Sequence, residues 1–280
     1  MKMRMKKWFA VTLMLLLAFN LIGCQNKDGE GSSATGEESK ADSVEDKGGE
    51  KETKDELVVG LDDTFAPMGF RDKSGELVGF DVELAKEVGE RLNVKIRFQP
   101  IDWSMKENEL NAGNIDFIWN GYSITPERQE KVSFSQPYLE NSQIIVTMAD
   151  SDIESKKDLA GKNVCVQAES SALDAMNKEA DLVASFADVV EFSTNNEAFN
   201  DLEAGRSDAL VVDEVLARYY MKQNGQEKYK VLEENFGPEE FGIGLRKEDT
   251  QLLEDLNKAL DEIRKDGTYD EIYKKWFSEN

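Results

Sequence analysis

Gly121-Tyr-Ser-Ile-Thr-Pro-Glu-Arg128 follows the short apolar run Phe117-Ile-Trp119, and these residues decide how the rest of the chain is read. The apolar run predicts a strand that ends in Asn120-Gly121, where a missing Cβ lets the backbone come close to another group. Ser123 supplies a hydroxyl. Thr125-Pro126-Glu127 has the form of a helix start: a hydroxyl N-cap, a proline at the first helical position and an acid in the first turn. Arg128 stands one step inside that helix. Free N–H groups, a hydroxyl and a guanidinium then converge where a strand meets a helix, which suits a small carboxylate. Taken alone, the segment fits an ordinary strand-to-helix junction with a surface arginine equally well.

The pattern on either side is one of strands alternating with helices. Leu57–Leu61 reads as a buried strand, 62–69 as a loop and Asp72–Gly75 as a turn. Val82, Leu84, Ala85, Val88 and Leu92 fall at helical spacing over 81–92. Val94–Phe98 alternates as a strand, and a short helix over 105–112 stops at Gly113. After a strand at 144–148 the pattern restarts. Strands are expected at 163–167, 189–192, 209–212 and 241–246. Helices are expected through Leu173 and Met176, and over 195–204, 214–222, 250–265 and 269–277. Two αβ series of about 90 residues each result, which argues for βαβ units and mainly parallel sheets. Ligands of such sheets sit beyond the carboxyl ends of the strands. The loops there are Asp62–Phe65, Trp103, Asn120–Ser123, Ala168–Ser171 and Asp213, all rich in small, hydroxyl, acidic or aromatic residues.

The chain has 280 residues and a formal charge of −23. Lys2, Arg4, Lys6 and Lys7 precede an apolar run from Trp8 to Ile22, too short for a good membrane span and fitting a secretory signal over 1–23. Leu21-Ile22-Gly23-Cys24 resembles a bacterial lipobox, with Cys24 as the lipidated mature N-terminus. A plain signal peptide with a chance cysteine is the alternative. Residues 24–55 hold no aromatic residue and almost no aliphatic one, so they are expected to form a disordered acidic tether. Without the four signal-peptide cations the balance is 30 Lys+Arg against 57 Asp+Glu, or −27, which argues against nucleic acid or anionic lipid as a partner. Cys165 is the only other cysteine, and there is no histidine. No intrachain disulfide, no cysteine metal cluster and no cofactor are expected, and the commonest general base at neutral pH is missing.

Five segments in order resemble the extracellular solute-binding proteins (family 3) of polar amino-acid ABC importers. They are Gly79-Phe-Asp-Val-Glu-Leu-Ala85, Gly121–Arg128 with Phe134-Ser-Gln-Pro-Tyr138, Gly205-Arg-Ser-Asp-Ala-Leu-Val-Val-Asp213, Phe241-Gly-Ile-Gly-Leu-Arg246, and Asp266–Phe277. The resemblance implies a two-lobed periplasmic-binding-protein-like (type II) α/β fold, each lobe a mostly parallel sheet flanked by helices. Lobe 1 would comprise 56–140 and 239–280, and lobe 2 would comprise 141–238. It implies a monomer that captures an extracellular α-amino acid and delivers it to permease subunits. The lipid anchor would hold it at the outer face of a Gram-positive type of membrane.

Roles follow residue by residue from that resemblance. Arg128 would fork onto the ligand's carboxylate. Ser123 would add its N–H there and its hydroxyl to the ammonium, which the Gly121 carbonyl would also face. Asp213 would neutralise the ammonium, or serve as an N-cap before Glu214. Ser170 and Ser171 would offer N–H groups, or merely cap a helix. Phe65 and Trp103 would wall the ligand side chain, or be core. Asp62 would meet polar side-chain ends, or cap the loop after it. Asn120 and Gln167 complete the candidate pocket. Glu169 departs from the small residue the family often carries there. A dehydratase-like enzyme on the same fold, with Glu169 or Asp62 as its acid or base, is the alternative from another class, and a sensor subunit acting through a partner is a third. The sequence leaves open whether the amino acid is polar, cationic or cystine.

Overall fold

Residues 54–278 are described by a computed structural model of the chain; the expected signal peptide, Cys24 and nearly all of the tether lie outside the described residues. In chain order the strands are β1 (Glu56–Leu61), β2 (Thr64–Phe65), β3 (Gly69–Arg71), β4 (Leu77–Val78), β5 (Lys95–Pro100), β6 (Phe117–Ile118), β7 (Ser133–Phe134), β8 (Leu139–Met148), β9 (Asn163–Gln167), β10 (Asp188–Phe192), β11 (Ala209–Asp213), β12 (Tyr229–Val231), β13 (Pro238–Phe241) and β14 (Gly244–Leu245). The helices are α1 (Phe80–Leu92), α2 (Lys106–Asn111), α3 (Pro126–Lys131), α4 (Ser171–Asn177), α5 (Ala180–Val183), α6 (Asn195–Glu203), α7 (Glu214–Asn224), α8 (Thr250–Lys265) and α9 (Thr268–Phe277).

The strands form two large sheets and a small β2-β3-β4 sheet. The first large sheet has the order β5-β1-β6-β14-β7, and the second has β10-β9-β11-β8-β12 with β13 also paired to β8. In the first, β1 runs parallel to β5 and β6, and β14 alone runs against its neighbours. In the second, β9, β10 and β11 are parallel and β8 alone is reversed. The expected mostly parallel sheets are therefore present, each with one opposing strand.

Alternation along the strands sorts the core. Successive strand residues point to opposite faces. Phe117 joins the cluster that α1, α8 and α9 cover, while Ile118 joins Trp103, Leu110, Ile115, Tyr122 and Val132 on the other face. In the second sheet Cys165 packs with Phe199 and Leu210 under α6 and α7, while Val164 and Val166 pack with Ala172 and Met176 of α4. Cys165 is a buried thiol, pushed up to about 12 by burial, and its place is in the core.

Local signals behave as their chemistry requires. Thr125 accepts from the Arg128 N–H at 3.2 Å and Pro126 opens α3. Three expectations differ in detail: one strand is broken, one helix is present but preceded by a 3-10 turn, and one strand begins early. The strand expected over 241–246 is two strands, broken at Gly242-Ile243, because there the chain crosses between sheets: Gly242 N–H donates to the Tyr122 carbonyl and Ile243 N–H to the Ser135 hydroxyl. A Cβ at Gly242 would lie 2.9 Å from Ile124 Cδ1. The helix expected over 105–112 is a 3-10 turn, Trp103–Met105, followed by α2. Asp102 starts it earlier by accepting from the Ser104 N–H at 2.9 Å. Finally, β8 begins at Leu139, before the apolar run that signalled it. Both expected lobe junctions, 140/141 and 238/239, fall inside the paired strands β8 and β13.

Candidate ligand-binding cleft

The carboxyl ends of β1 and β6 in the first sheet face those of β9 and β11 in the second, and the loops that leave them meet. Four hydrogen bonds cross. Gln167 Nε2 donates to Asp62 Oδ2 at 3.1 Å, and the Ser123 and Ser171 hydroxyls are 2.8 Å apart. Arg128 Nη2 and Lys106 Nζ both donate to the Glu169 carbonyl, at 3.3 and 3.0 Å. Glu169 is a non-glycine residue at φ +54°, a backbone conformation that costs energy. It turns one backbone oxygen toward two cations, while its own side chain is exposed.

The first sheet supplies the positive end. Arg128 is only 4% exposed, and among the described residues it has no carboxylate partner. Its Nη1 donates to the Ser123 carbonyl at 3.2 Å, and its guanidinium lies 4.7 Å over the Tyr122 ring. Lys106, 2% exposed, stands beside it and donates also to the Trp103 carbonyl at 3.2 Å. Burial and the Arg128 charge push its ammonium down to about 8, against the pull of Glu107. Glu107 itself would be raised by burial, but Lys106, the Tyr122 hydroxyl and Arg128 outweigh that and hold it low. A buried guanidinium whose direct bonds among the described residues go only to carbonyls, with a ring beneath it, is costly unless an anion joins it.

The second sheet supplies the negative end. Asp213 closes β11, 5% exposed, and its side chain does not cap α7. Its Oδ1 accepts from Asn141 Nδ2 at 2.7 Å and Gln143 Nε2 at 2.8 Å. Glu239 Oε1 accepts from the same two nitrogens at 2.7 and 2.8 Å. Burial first, then the neighbouring Glu239 carboxylate, push Asp213 far above the usual carboxylate range; the Gln143 bond and the Arg128 charge pull the other way.

The remaining candidates lie between these poles. Asn120 Oδ1 accepts from the Asp62 N–H at 3.0 Å, tying the ends of β1 and β6, while its Nδ2 is buried without a partner among the described residues. Asp62 does cap its loop, accepting from the Thr64 N–H and hydroxyl at 2.9 and 2.6 Å, and it also meets Gln167. Burial raises it despite those bonds. Gln167 is fixed in turn by the Ser193 carbonyl and Asn195. Ser170 caps α4 through the Leu173 N–H at 3.2 Å. Phe65 packs on Gly121, where a Cβ would stand 2.9 Å from its ring. Trp103 lies edge-on to Tyr122 at 5.8 Å, 7% exposed, inside an apolar cluster, so packing is a large part of its role.

Gly121, at φ +58°, is held from behind. Its N–H donates to Asp81 Oδ2 at 2.8 Å and to the Tyr138 hydroxyl at 3.3 Å, and that hydroxyl donates to the same carboxylate oxygen at 2.9 Å. Burial pushes Asp81 up to about 7 against those bonds. Sequence reasoning missed Lys106, Asp81, Asn141, Gln143 and Glu239 as parts of this arrangement. A signal existed for three of them. Lys106 shares a helix face with Leu110, and Asn141 and Gln143 share the inward alternation of Ile145 and Thr147.

Two αβ units whose loops meet across a cleft, positive at one end and negative at the other, define a clamp for a small dipolar molecule. The chain belongs to the bacterial extracellular solute-binding proteins, family 3, whose profile matches residues 57–279. It is 30% identical over 282 residues to the ABC transporter glutamine-binding protein GlnH of Bacillus subtilis, covering 99% of both chains. It is 34% identical over 229 residues to the lysine/arginine/ornithine-binding periplasmic protein of Escherichia coli, covering 79% of this chain and 87% of that protein. A substrate-binding protein of an ABC uptake transporter from Streptococcus pneumoniae, crystallised with bound histidine, superposes with a TM-score of 0.78 at 42% identity, over 80% of this chain and 93% of the other. The fold is the two-lobed type II periplasmic-binding-protein fold. Among the described residues no helix is long and apolar enough to cross a membrane.

Proposed function

We propose that the protein is the substrate-binding component of an amino-acid ABC importer, closing two lobes on a polar α-amino acid and presenting it to the permease subunits. The observation that carries this reading is Arg128, a buried guanidinium without a carboxylate among the described residues, across the cleft from the buried carboxyl of Asp213. A zwitterion supplies the missing charge at both ends. Arg128 takes the carboxylate, with the N–H groups of Ser123 and Ser171 beside it. Asp213 takes the ammonium, with the Gly121 carbonyl and the Ser123 hydroxyl. Phe65 and Trp103 flank the side chain, whose polar end faces Asp62, Asn120 and Gln167. Ser170 sets the direction of α4. The relatives named above take glutamine, histidine or the basic amino acids, in keeping with a polar substrate.

Lobe 1 is read as 56–140 with 239–280, and lobe 2 as 141–238, hinged at the paired strands β8 and β13. Cys24 carries the lipid, and 24–55 forms the leash that holds the clamp at the outer face of the membrane. The protein binds and does not catalyse. Of the two acids weighed as catalysts, Glu169 is exposed and Asp62 is committed to Thr64 and Gln167.

The test is a thermal-shift screen of the amino acids, including cystine, followed by calorimetry and small-angle scattering on the hits. At least one polar amino acid is expected to raise Tm, bind one to one and reduce the radius of gyration. An unchanged scattering curve at saturating ligand would overturn the closing clamp, and product formation by mass spectrometry would overturn the non-catalytic reading.

A further inference from the structure

The hinge strands put a second acid beside Asp213. Glu239 lies directly opposite Asn141 across the β8–β13 pairing, so its carboxylate comes to the amides that hold Asp213. Asn141 Nδ2 and Gln143 Nε2 each bond both carboxylates, at 2.7 and 2.8 Å respectively. Each amide nitrogen carries two hydrogens, so Asn141 is fully used. Gln143 Nε2 has a third neighbour, the Ser171 hydroxyl at 3.2 Å, so it cannot serve all three at once. Its Oε1, on a side chain only 1% exposed, has no partner among the described residues. Two carboxylates and an orphaned buried acceptor converge, and a donor with several hydrogens is what the cluster lacks.

The charges around it leave one solution. Arg128 acts on Asp213 from the first lobe but is engaged with the Ser123 and Glu169 carbonyls. Glu214, next along the chain, is turned to Arg218 at 2.5 Å. From β8 and α4 only amides and the Ser171 hydroxyl face the pair. Two like charges held by the same donors do not both ionise without a cation.

We propose that Asp213 and Glu239 together form the ammonium receptor, with the Gln143 carbonyl oxygen as third acceptor: the pair holds one proton while no amino acid is bound and gives it up when the ammonium arrives. The proposal rests on the reading of Asp213 as the ammonium's partner. The exchange balances. Two carboxylates with one proton carry the same net charge as two carboxylates with one ammonium, and the displaced proton goes to solvent. The buried site then never holds an uncompensated second charge. Because Glu239 belongs to a hinge strand, the ammonium is felt at the hinge and not only in the second lobe.

Calorimetry tests this with L-arginine and L-glutamine as probes, at pH 7 in phosphate and in Tris, whose different ionisation enthalpies report the protons exchanged. The wild-type protein is expected to release about one proton per amino acid bound. In Glu239→Gln the like charge is gone and burial alone raises Asp213, so proton release at pH 7 should fall below the wild-type value, while the loss of one ammonium acceptor weakens Kd by about tenfold. Glu239→Asp should restore the release, and Tm of each variant checks folding. Tight binding by the wild type with no proton release, or unchanged release in Glu239→Gln, overturns the shared proton. Unchanged affinity in Asp213→Asn, or no binding of either probe, instead overturns the ammonium site beneath it.

Discussion

Arg128→Lys keeps a positive charge in the cleft and removes everything else that the guanidinium does there. In the native structure its two terminal nitrogens reach different carbonyls, those of Ser123 and Glu169, and its plane lies 4.7 Å over Tyr122. That geometry fixes the fork where a planar carboxylate can accept two parallel N–H bonds, which a lysine ammonium cannot reproduce. The variant keeps the Coulomb attraction, loses one of the two charged hydrogen bonds and gives up the ring contact. Disturbing a desolvated, hydrogen-bonded charge pair costs roughly 2–4 kcal/mol in affinity, or about 30- to 900-fold in Kd. Free-protein stability should change less, since the lysine keeps the charge and can still reach one of the two carbonyls; the bond it loses, from a charged donor, is worth about 1.5–3 kcal/mol net. Calorimetry with the amino acid that gives the largest thermal shift measures the first quantity, and Tm of the unliganded variant the second. A Kd within threefold of native, with Tm preserved, would refute the reasoning and leave Arg128 as a structural cation.

Replacing Cys24 with Ala should move the protein from the membrane fraction to the soluble one; persistent membrane attachment would mean a different anchor. Asp81 has a folded pKa of about 7, raised from 3.8 by burial, so the unfolded chain loses its proton first as pH rises. The wild-type protein should therefore lose stability relative to Asp81→Asn between about pH 4 and 7, by at most about 1.4 kcal/mol per unit, and the difference should level off above 7. Chemical denaturation of both proteins at several pH values reads this directly, and a flat difference would show that Asp81 is not titrating there. Lys106, pushed down from 10.5 to about 8, has the opposite sign. Its unfolded state holds the proton longer, so the native protein should gain stability relative to Lys106→Met as pH rises from 8 to 10.5, measured the same way. Asp213→Asn should lose affinity mainly through faster dissociation, since lobe 1 still makes the encounter; stopped-flow kinetics showing a slowed association instead would reverse the order of events.

Much of the fold was legible because its signals are local. Pro126 and Thr125 start α3 by chemistry confined to four residues, and strand 163–167 and helix 250–265 sit where periodicity placed them. What was not legible depended on distant partners. Leu139–Gln143 looks too polar for a strand until β13 pairs with it, and Phe241–Arg246 looks continuous until Gly242 and Ile243 are seen bonding to two other loops. The cleft follows the same division. Several of its candidate residues stand at or just beyond strand ends, where the family resemblance gave them their roles. Glu239 could not be named from the chain, because nothing within 238–241 shows that Asn141 and Gln143 will bring it to Asp213. Lys106 was hidden differently: a lysine in a short helix reads as solvated until Glu169 offers its carbonyl from the second sheet.

The two poles of the cleft do not touch, and this explains why closure should need a ligand. Among the described residues no bond across the mouth joins opposite charges: the bonds run hydroxyl to hydroxyl at Ser123 and Ser171, amide to carboxyl at Gln167 and Asp62, and from two cations to one backbone oxygen at Glu169. Such bonds exchange for water at a modest net gain, about 1 kcal/mol for a neutral pair and about 1.5–3 kcal/mol where one member is charged. Closing also desolvates Arg128 and Lys106 at one end and the Asp213–Glu239 pair at the other, and among the described residues no direct ion pair joins the two ends. These contacts work against that cost, so the free protein is expected to close less readily than the liganded one. A molecule with a carboxylate at one end and an ammonium at the other cancels both charges, but only when both lobes reach it. Its affinity for the closed form then exceeds that for the open form by nearly the whole strength of the second pole, and that difference is the only means by which a ligand can shift such an equilibrium.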